Sequence, residues 1–204
     1  MNTARQEILG KLRKVILTES DNPDFNAPVY HSIDEPLEKA FKQKLEEVNG
    51  SIHLFESESD LFMSLKQFLS KFNSNHICCN EPDVQNKLKD FNVPFLNCSE
   101  IPKNIEAGIT GCEFLIAHTG SVMVSSAQKG GRQMFVYPPV HIVVARKEQL
   151  VTYLEDAYSA ILKKYGKKLP SQISLITGPS RTADIEKTLI LGAHGPRELH
   201  VFLV

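Results

Sequence analysis

A chain of 204 residues that is 42% apolar and 23% charged has the make-up of a soluble folded domain. At that length it can bury roughly 70% of its unfolded surface without disulfides or a structural metal. Its 23 basic and 24 acidic side chains balance, which removes the electrostatic case for a general nucleic-acid binder or a polybasic membrane anchor.

Residues 1–17 carry charges throughout and no later run approaches ~20 apolar residues, which argues against a secretory leader or a membrane span. The expected location is the cytoplasm. Thr3 with Gln6 forms a capping-box pattern, and Ile8, Leu9, Leu12, Val15 and Ile16 recur on one stripe, predicting an amphipathic first helix. Residues 20–32 are rich in chain breakers and read as a linker. The expected organisation is therefore an N-terminal helical arm, residues 1–33, ahead of one domain, residues 34–204.

Pro36 opens a second helix with the stripe Leu37, Phe41, Leu45 and Val48, closed by Asn49 and Gly50. A strand over 51–55, a helix over 60–72, a strand over 76–79, a helix over 81–91 and a short strand at Phe95 and Leu96 follow. Further on, strands are expected over 121–127, 134–136 and 141–145, with Tyr137 either a buried, hydrogen-bonded side chain or one that lines a ligand pocket. A helix over 150–165, a strand over 172–177, a short helix within 182–191 and a closing strand over 199–204 complete the pattern. The continuous apolar runs 141–145 and 200–204 suit strands covered on both faces. The fold class is α/β, with a mostly parallel sheet flanked by helices.

The chemistry-bearing residues cluster in the C-terminal half. Six arginines occur in the chain, and three of them, Arg132, Arg181 and Arg197, sit beside glycines. Glycine lets a backbone approach a ligand, and an arginine fork grips carboxylate or phosphate, so these segments read as anion sites. The clearest is the run from Gly178 through Ser180 to Arg181, at the end of a strand, the usual ligand edge of open α/β sheets. The other reading of that run is a tight turn in which Arg181 pairs with Asp184.

His194, between Ala193 and Gly195, is a candidate acid, base or metal ligand, or else a hydrogen-bonded loop residue. Glu113 or His118 could supply acid–base or nucleophilic chemistry, with Thr119, Gly120 and Ser121 as donors; alternatively these residues only turn the chain. Asp184 and Glu186 lack the spacing of a helical metal face, and no metal site is expected. Cys78, Cys79, Cys98 and Cys112 lack C-x-x-C spacing and read as buried thiols with no chemical role. Walker, dinucleotide-binding, H-E-x-x-H and G-x-S-x-G motifs are absent.

Taken in order, residues 108–126, 130–151 and 176–204 resemble the LUD domain of the lactate-utilisation protein C family. The resemblance spans roughly 107–204 and implies an α/β fold similar to the sugar-phosphate isomerase and CoA-transferase superfamily. It also implies a part in bacterial oxidation of L-lactate to pyruvate, with partner proteins that carry iron–sulfur clusters. This chain lacks the cysteine spacing for clusters, so no cofactor is expected in it. Many family members carry Glu where this chain has His118, a departure that bears on any chemistry of that position.

The expected role is an accessory subunit that binds a small carboxylate or phosphate through Arg181, His194 and Arg197, with Thr119, Gly120, Ser121, Arg132, Gly178, Ser180 and Gly195 as further ligand-binding candidates. The alternative is a free-standing isomerase or CoA-transferase-like enzyme using Glu113 or His118. A third reading is an interaction module whose first helix packs on another subunit, which makes a homo-oligomer possible.

Overall fold

The computed structural model describes residues 4–13, 30, 32–98, 100–183, 189–191 and 194–204. The chain divides into two compact units, Met1–Ser32 and Ile33–Val204. In the first, α1 (Ala4–Arg13) is a helix on which Ile8 and Leu9 are exposed. Val15, Ile16 and all of the expected linker except Tyr30 and Ser32 lie outside the described residues.

The second unit opens with α2 (Leu37–Glu47), which starts behind Pro36 and buries Ala40, Phe41 and Leu45. β1 (Ser51–Leu54) leads to α3 (Glu58–Leu69), where Ser57 Oγ accepts the Asp60 N–H and caps the first turn. β2 (Ile77–Cys79) and α4 (Pro82–Asp90) follow, the helix again opening on proline. Then come β3 (Ala107–Thr110), β4 (Phe114–Ile116), β5 (Ser121–Ser125), α5 (Gly131–Met134), β6 (Val140–Ala145) and β7 (Leu150–Val151). The chain finishes with α6 (Leu154–Tyr165), β8 (Ile173–Ile176), β9 (Arg181–Ala183), β10 (Leu189–Leu191) and β11 (Glu198–Leu203).

Among the described residues, five strands form a sheet in the order β1-β11-β6-β3-β2, and every pairing in it is parallel. The mostly parallel sheet flanked by helices is the architecture the apolar runs predict. Alternation along β6 shows why its run is continuous: Val140 and Ile142 face α3 and α4, while Val143 and Ala145 face α2 and a second sheet. That second sheet has the order β7-β4-β5-β8, antiparallel except where β4 meets β7. α6 covers its outer face, burying Ala157 and Ile161 against Ile116 and Met123. No described helix is long and apolar enough to cross a membrane.

Five expectations are corrected. Residues 134–136 form no strand: Met134 ends the short helix α5 and is buried with Cys78, Cys98 and Ile105, so its apolarity serves a small satellite core. Where a short helix is expected within 182–191, the described ends, Arg181–Ala183 and Leu189–Leu191, pair as the antiparallel strands β9 and β10; residues 184–188, with Asp184 and Glu186, lie outside the described residues. The expected helix over 150–165 begins only at Leu154, because Leu150 and Val151 pair with β4. Cys78 and Cys98 form a disulfide across 20 residues, which leaves Cys79 and Cys112 as the buried thiols. Tyr137 is exposed rather than buried.

Candidate functional site

Because its strands are parallel, the five-stranded sheet delivers all of its strand ends to one edge. Glu81 follows β2 by two residues, Gly111, Cys112 and Glu113 follow β3, and Arg146 follows β6. A cavity of 690 Å³ opens at this edge, and all five of those residues line it. Such a crevice beyond the carboxyl ends is where open α/β sheets bind ligands.

Glu113 is buried, and three donors hold its carboxylate. Ser125 Oγ and Tyr165 Oη donate to Oε1 at 2.6 and 2.7 Å, and Lys164 Nζ donates to Oε2 at 2.7 Å. Burial pushes its pKa up, but the Lys164, Ser125 and Tyr165 hydrogen bonds outweigh burial and hold it below the ordinary carboxylate value. Burial pulls Lys164 down, but the Glu113 carboxylate more than offsets this and leaves its pKa raised.

Glu81 is the counterpart. A Cβ on Gly111 would stand 3.0 Å from Glu81 Oε2, and one on Gly130 would stand 3.1 Å from Oε1, so two bare backbones make room for this carboxyl group. Gln128 Nε2 lies 3.3 Å from Oε1. Burial raises the Glu81 pKa and the charges of Glu113 and Asp83 add to it, against the pull of the Gly111 N–H and Gln128. One cavity thus holds one carboxyl biased toward its neutral form and one biased toward its ionised form, the division that separates an acid from a base.

The lining is mixed in charge. Lys87 and Arg146 both pair with Glu58, Arg146 Nη2 standing 3.7 Å from Oε1. Asp83 and Glu148 also line the cavity. The buried Cys112 thiol is pushed far up by burial and by Glu81 and Glu113, so it stays protonated and is a poor nucleophile. Among the described residues, no group of three or more His, Cys, Asp or Glu side chains could hold a metal ion.

Of the catalytic and ligand-binding candidates read from the sequence, Glu113 lies in this cavity and the others do not line it. His118 donates its backbone N–H to Thr152 O, with its ring 5.5 Å from that of Tyr153. Ser121 Oγ bonds Thr119 Oγ1 at 2.7 Å and Thr177 Oγ1 at 2.8 Å. Gly120 and Gly178 have positive φ, and a Cβ on either would stand 2.3 Å from α2-side backbone, Leu45 N and Val48 O respectively. The close approach these glycines allow is to the end of α2.

Gly195 rests on Ser180, whose N–H donates to Pro196 O, and Arg197 N–H donates to Pro139 O. The turns carrying Thr119–Ser121, Gly178–Ser180 and His194–Arg197 therefore converge, and Pro139 precedes β6, so the last of them meets the amino edge of the parallel sheet. Arg181, His194 and Arg197 are exposed there. Arg132 is not with them: its Nη2 donates to Ser171 Oγ at 2.6 Å, ahead of β8, whereas Gly178 comes after β8.

Sequence reasoning missed Glu81, Lys87, Ser125, Arg146, Lys164 and Tyr165. Glu81 and Arg146 carried a usable signal, since each stands one or two residues past a buried apolar strand. Lys164 and Tyr165 carried none, being more than 50 residues from Glu113 on a helix of another layer.

A family model described as LUD domain matches residues 37–204. The chain belongs to the LUD domain family. The chain is 36% identical over 106 residues to an uncharacterized protein of Neisseria meningitidis serogroup B, a match covering 52% of this chain and 45% of that protein. It is also 36% identical over 99 residues to Lactate utilization protein C of Bacillus subtilis, covering 48% of this chain and 41% of that protein. The chain thus matches about half the length, or less, of these curated relatives. The crystal structure of a DUF162 family protein from Deinococcus radiodurans superposes with a TM-score of 0.62 over 82% of this chain and 96% of that one; at 19% identity it shares the fold.

Proposed function

We propose that this LUD domain protein serves lactate utilisation by binding a small hydroxylated carboxylate in the cavity at the carboxyl edge of the parallel sheet. The observation that carries the reading is the pairing of Glu81 and Glu113, biased to opposite protonation states, with Lys87, Arg146 and Lys164 in one cavity. The name shared by relatives such as that of Bacillus subtilis supports the process.

A hydroxy acid carries both a charge and a hydroxyl, and the mixed lining suits it. Arg146 and Lys87 would meet the ligand carboxylate, as guanidinium and ammonium groups do. Glu81, its carboxyl pushed toward the neutral form by burial, faces the hydroxyl or keto oxygen, and Glu113 accepts a proton nearby. Oxidising lactate to pyruvate also removes two electrons, and the reading assigns these to cytoplasmic partner proteins with iron–sulfur clusters.

Calorimetric titration with L-lactate and pyruvate tests the binding step. Measurable affinity is expected, weakened at least tenfold in Arg146→Ala and in Glu113→Gln; no heat with either ligand sinks the reading. The divided carboxyl pair also favours a second reading, a free-standing enzyme that moves a proton on a small hydroxylated anion. That reading expects deuterium from heavy water to enter the ligand carbon skeleton, seen by NMR, and to stop doing so in Glu113→Gln.

A further inference from the structure

We propose that Glu58 is a built-in competitor for the carboxylate site of the cavity: its side chain holds Lys87 and Arg146, and a ligand carboxylate binds by taking its place. The proposal rests on the reading above, in which those two cations meet the ligand. Each of them already faces a carboxylate oxygen. Lys87 Nζ donates to Glu58 Oε2, and Arg146 Nη2 stands 3.7 Å from Glu58 Oε1. One carboxylate thus spans two cations with its two oxygens, which is how a ligand carboxylate would lie between them.

The three side chains come from separate elements. Glu58 opens α3, Lys87 lies on α4 and Arg146 follows β6, and all three line the cavity. None of them is buried: the side chains of Glu58, Lys87 and Arg146 are 38%, 37% and 63% exposed. Ion pairs at that exposure are weak, because water screens the attraction and long side chains lose freedom to hold it. Glu113 is the contrast, with a side chain 1% exposed and three donors on its carboxylate. Glu113 is a fixed part of the cavity, whereas Glu58 is exchangeable.

The exchange leaves the rest of the fold in place. Ser57 Oγ accepts the Asp60 N–H and donates to Asp60 Oδ2 at 2.7 Å, so the start of α3 stays capped when the Glu58 side chain swings away. The two cations also keep one carboxylate between them throughout, and neither is left unpaired. A neutral ligand has no charge with which to release them from Glu58. The competitor therefore favours an ionised ligand over its neutral analogue, a selectivity obtained by penalising the wrong ligand.

NMR titrations of the full chain with L-lactate, with acetate as the bare carboxylate and with the neutral amide of lactate test this. Glu58→Gln keeps the side-chain shape without the charge and is expected to bind lactate and acetate about two- to fivefold tighter. The gain is expected to vanish when Arg146→Ala is added, and to be absent for the amide. Glu56→Gln is the control: it removes a carboxylate that pairs with Lys147 and does not line the cavity, and is expected to leave both affinities unchanged. Acetate decides the exchange even where lactate binds neither chain, in which case the choice of lactate alone fails. Acetate bound by neither chain, or no tighter by Glu58→Gln, overturns the proposal. An equal gain in Glu56→Gln, or for the amide, overturns it as well, since either would mean that a carboxylate had merely been removed from the neighbourhood.

Discussion

At the scale of residues, burial decides which titratable groups carry charge. Glu113 stays ionised inside the protein because three donors converge on it, whereas Glu81, with weaker partners and like charges near it, is pushed toward its neutral form. His141 is the extreme case. It is fully buried on β6, its Nε2 shares a hydrogen bond with Thr110 Oγ1 at 2.8 Å, and its Nδ1 has no partner. Burial lowers its pKa to about 4.

An unfolded chain protonates that histidine near pH 6.5, so between about 6.5 and 4 the unfolded state binds more protons than the folded one. Stability is therefore complete above that window and falls as pH drops through it, by about 3 kcal/mol at most. Urea unfolding from pH 7 to 4.5 checks this: His141→Leu is expected to lose stability with acid less steeply than the unmodified protein. Parallel slopes would mean that the imidazole is protonated inside the fold.

At the scale of elements, glycine positions show how packing and site-building compete for the same sequence signal. A Gly-rich segment ahead of a strand reads equally well as a ligand cradle or a turn, and what stands opposite the bare Cα decides between them. Opposite Gly111 and Gly130 is the Glu81 carboxyl; opposite Gly120 is the backbone of α2. Gly120→Ala would force that helix away at a residue already at positive φ, at a cost of about 3 kcal/mol or more, read as a lowered denaturation midpoint. Gly131 also has positive φ but open space around it, so its alanine variant is expected to lose only about 1–2 kcal/mol.

The cysteines make the same point, since Cys78 on β2 finds Cys98 only because the intervening helix α4 returns the chain beside the sheet edge. Alkylation of the denatured, unreduced protein is expected to label two thiols, Cys79 and Cys112; four would mean that the bond does not form.

At the scale of the whole molecule, the family match begins at residue 37 and the second compact unit at Ile33. That unit holds both sheets, their cores and the candidate cavity. A chain starting at Ile33 is accordingly expected to fold, with a cooperative thermal transition and lactate binding within about threefold of the full chain. Loss of cooperative unfolding on this truncation would show that the preceding residues complete the core.

The sequence by itself determined the α/β class, most elements before residue 121, and the family. Local periodicity suffices there: apolar stripes on α2 and α3 and uninterrupted apolar strands such as β6 and β11 admit few other arrangements. The cavity was legible only in part, through Glu113. Tertiary structure alone decided that Glu81, Lys164 and Tyr165 meet it there, that Arg132 lies apart from Arg181 and Arg197, and that short segments near 134 and 182 are not what their composition suggests. The physical reason is range. Periodicity is set by neighbours within a turn or a pleat, whereas charge pairing, burial and the space beside a glycine are set by residues dozens of positions away.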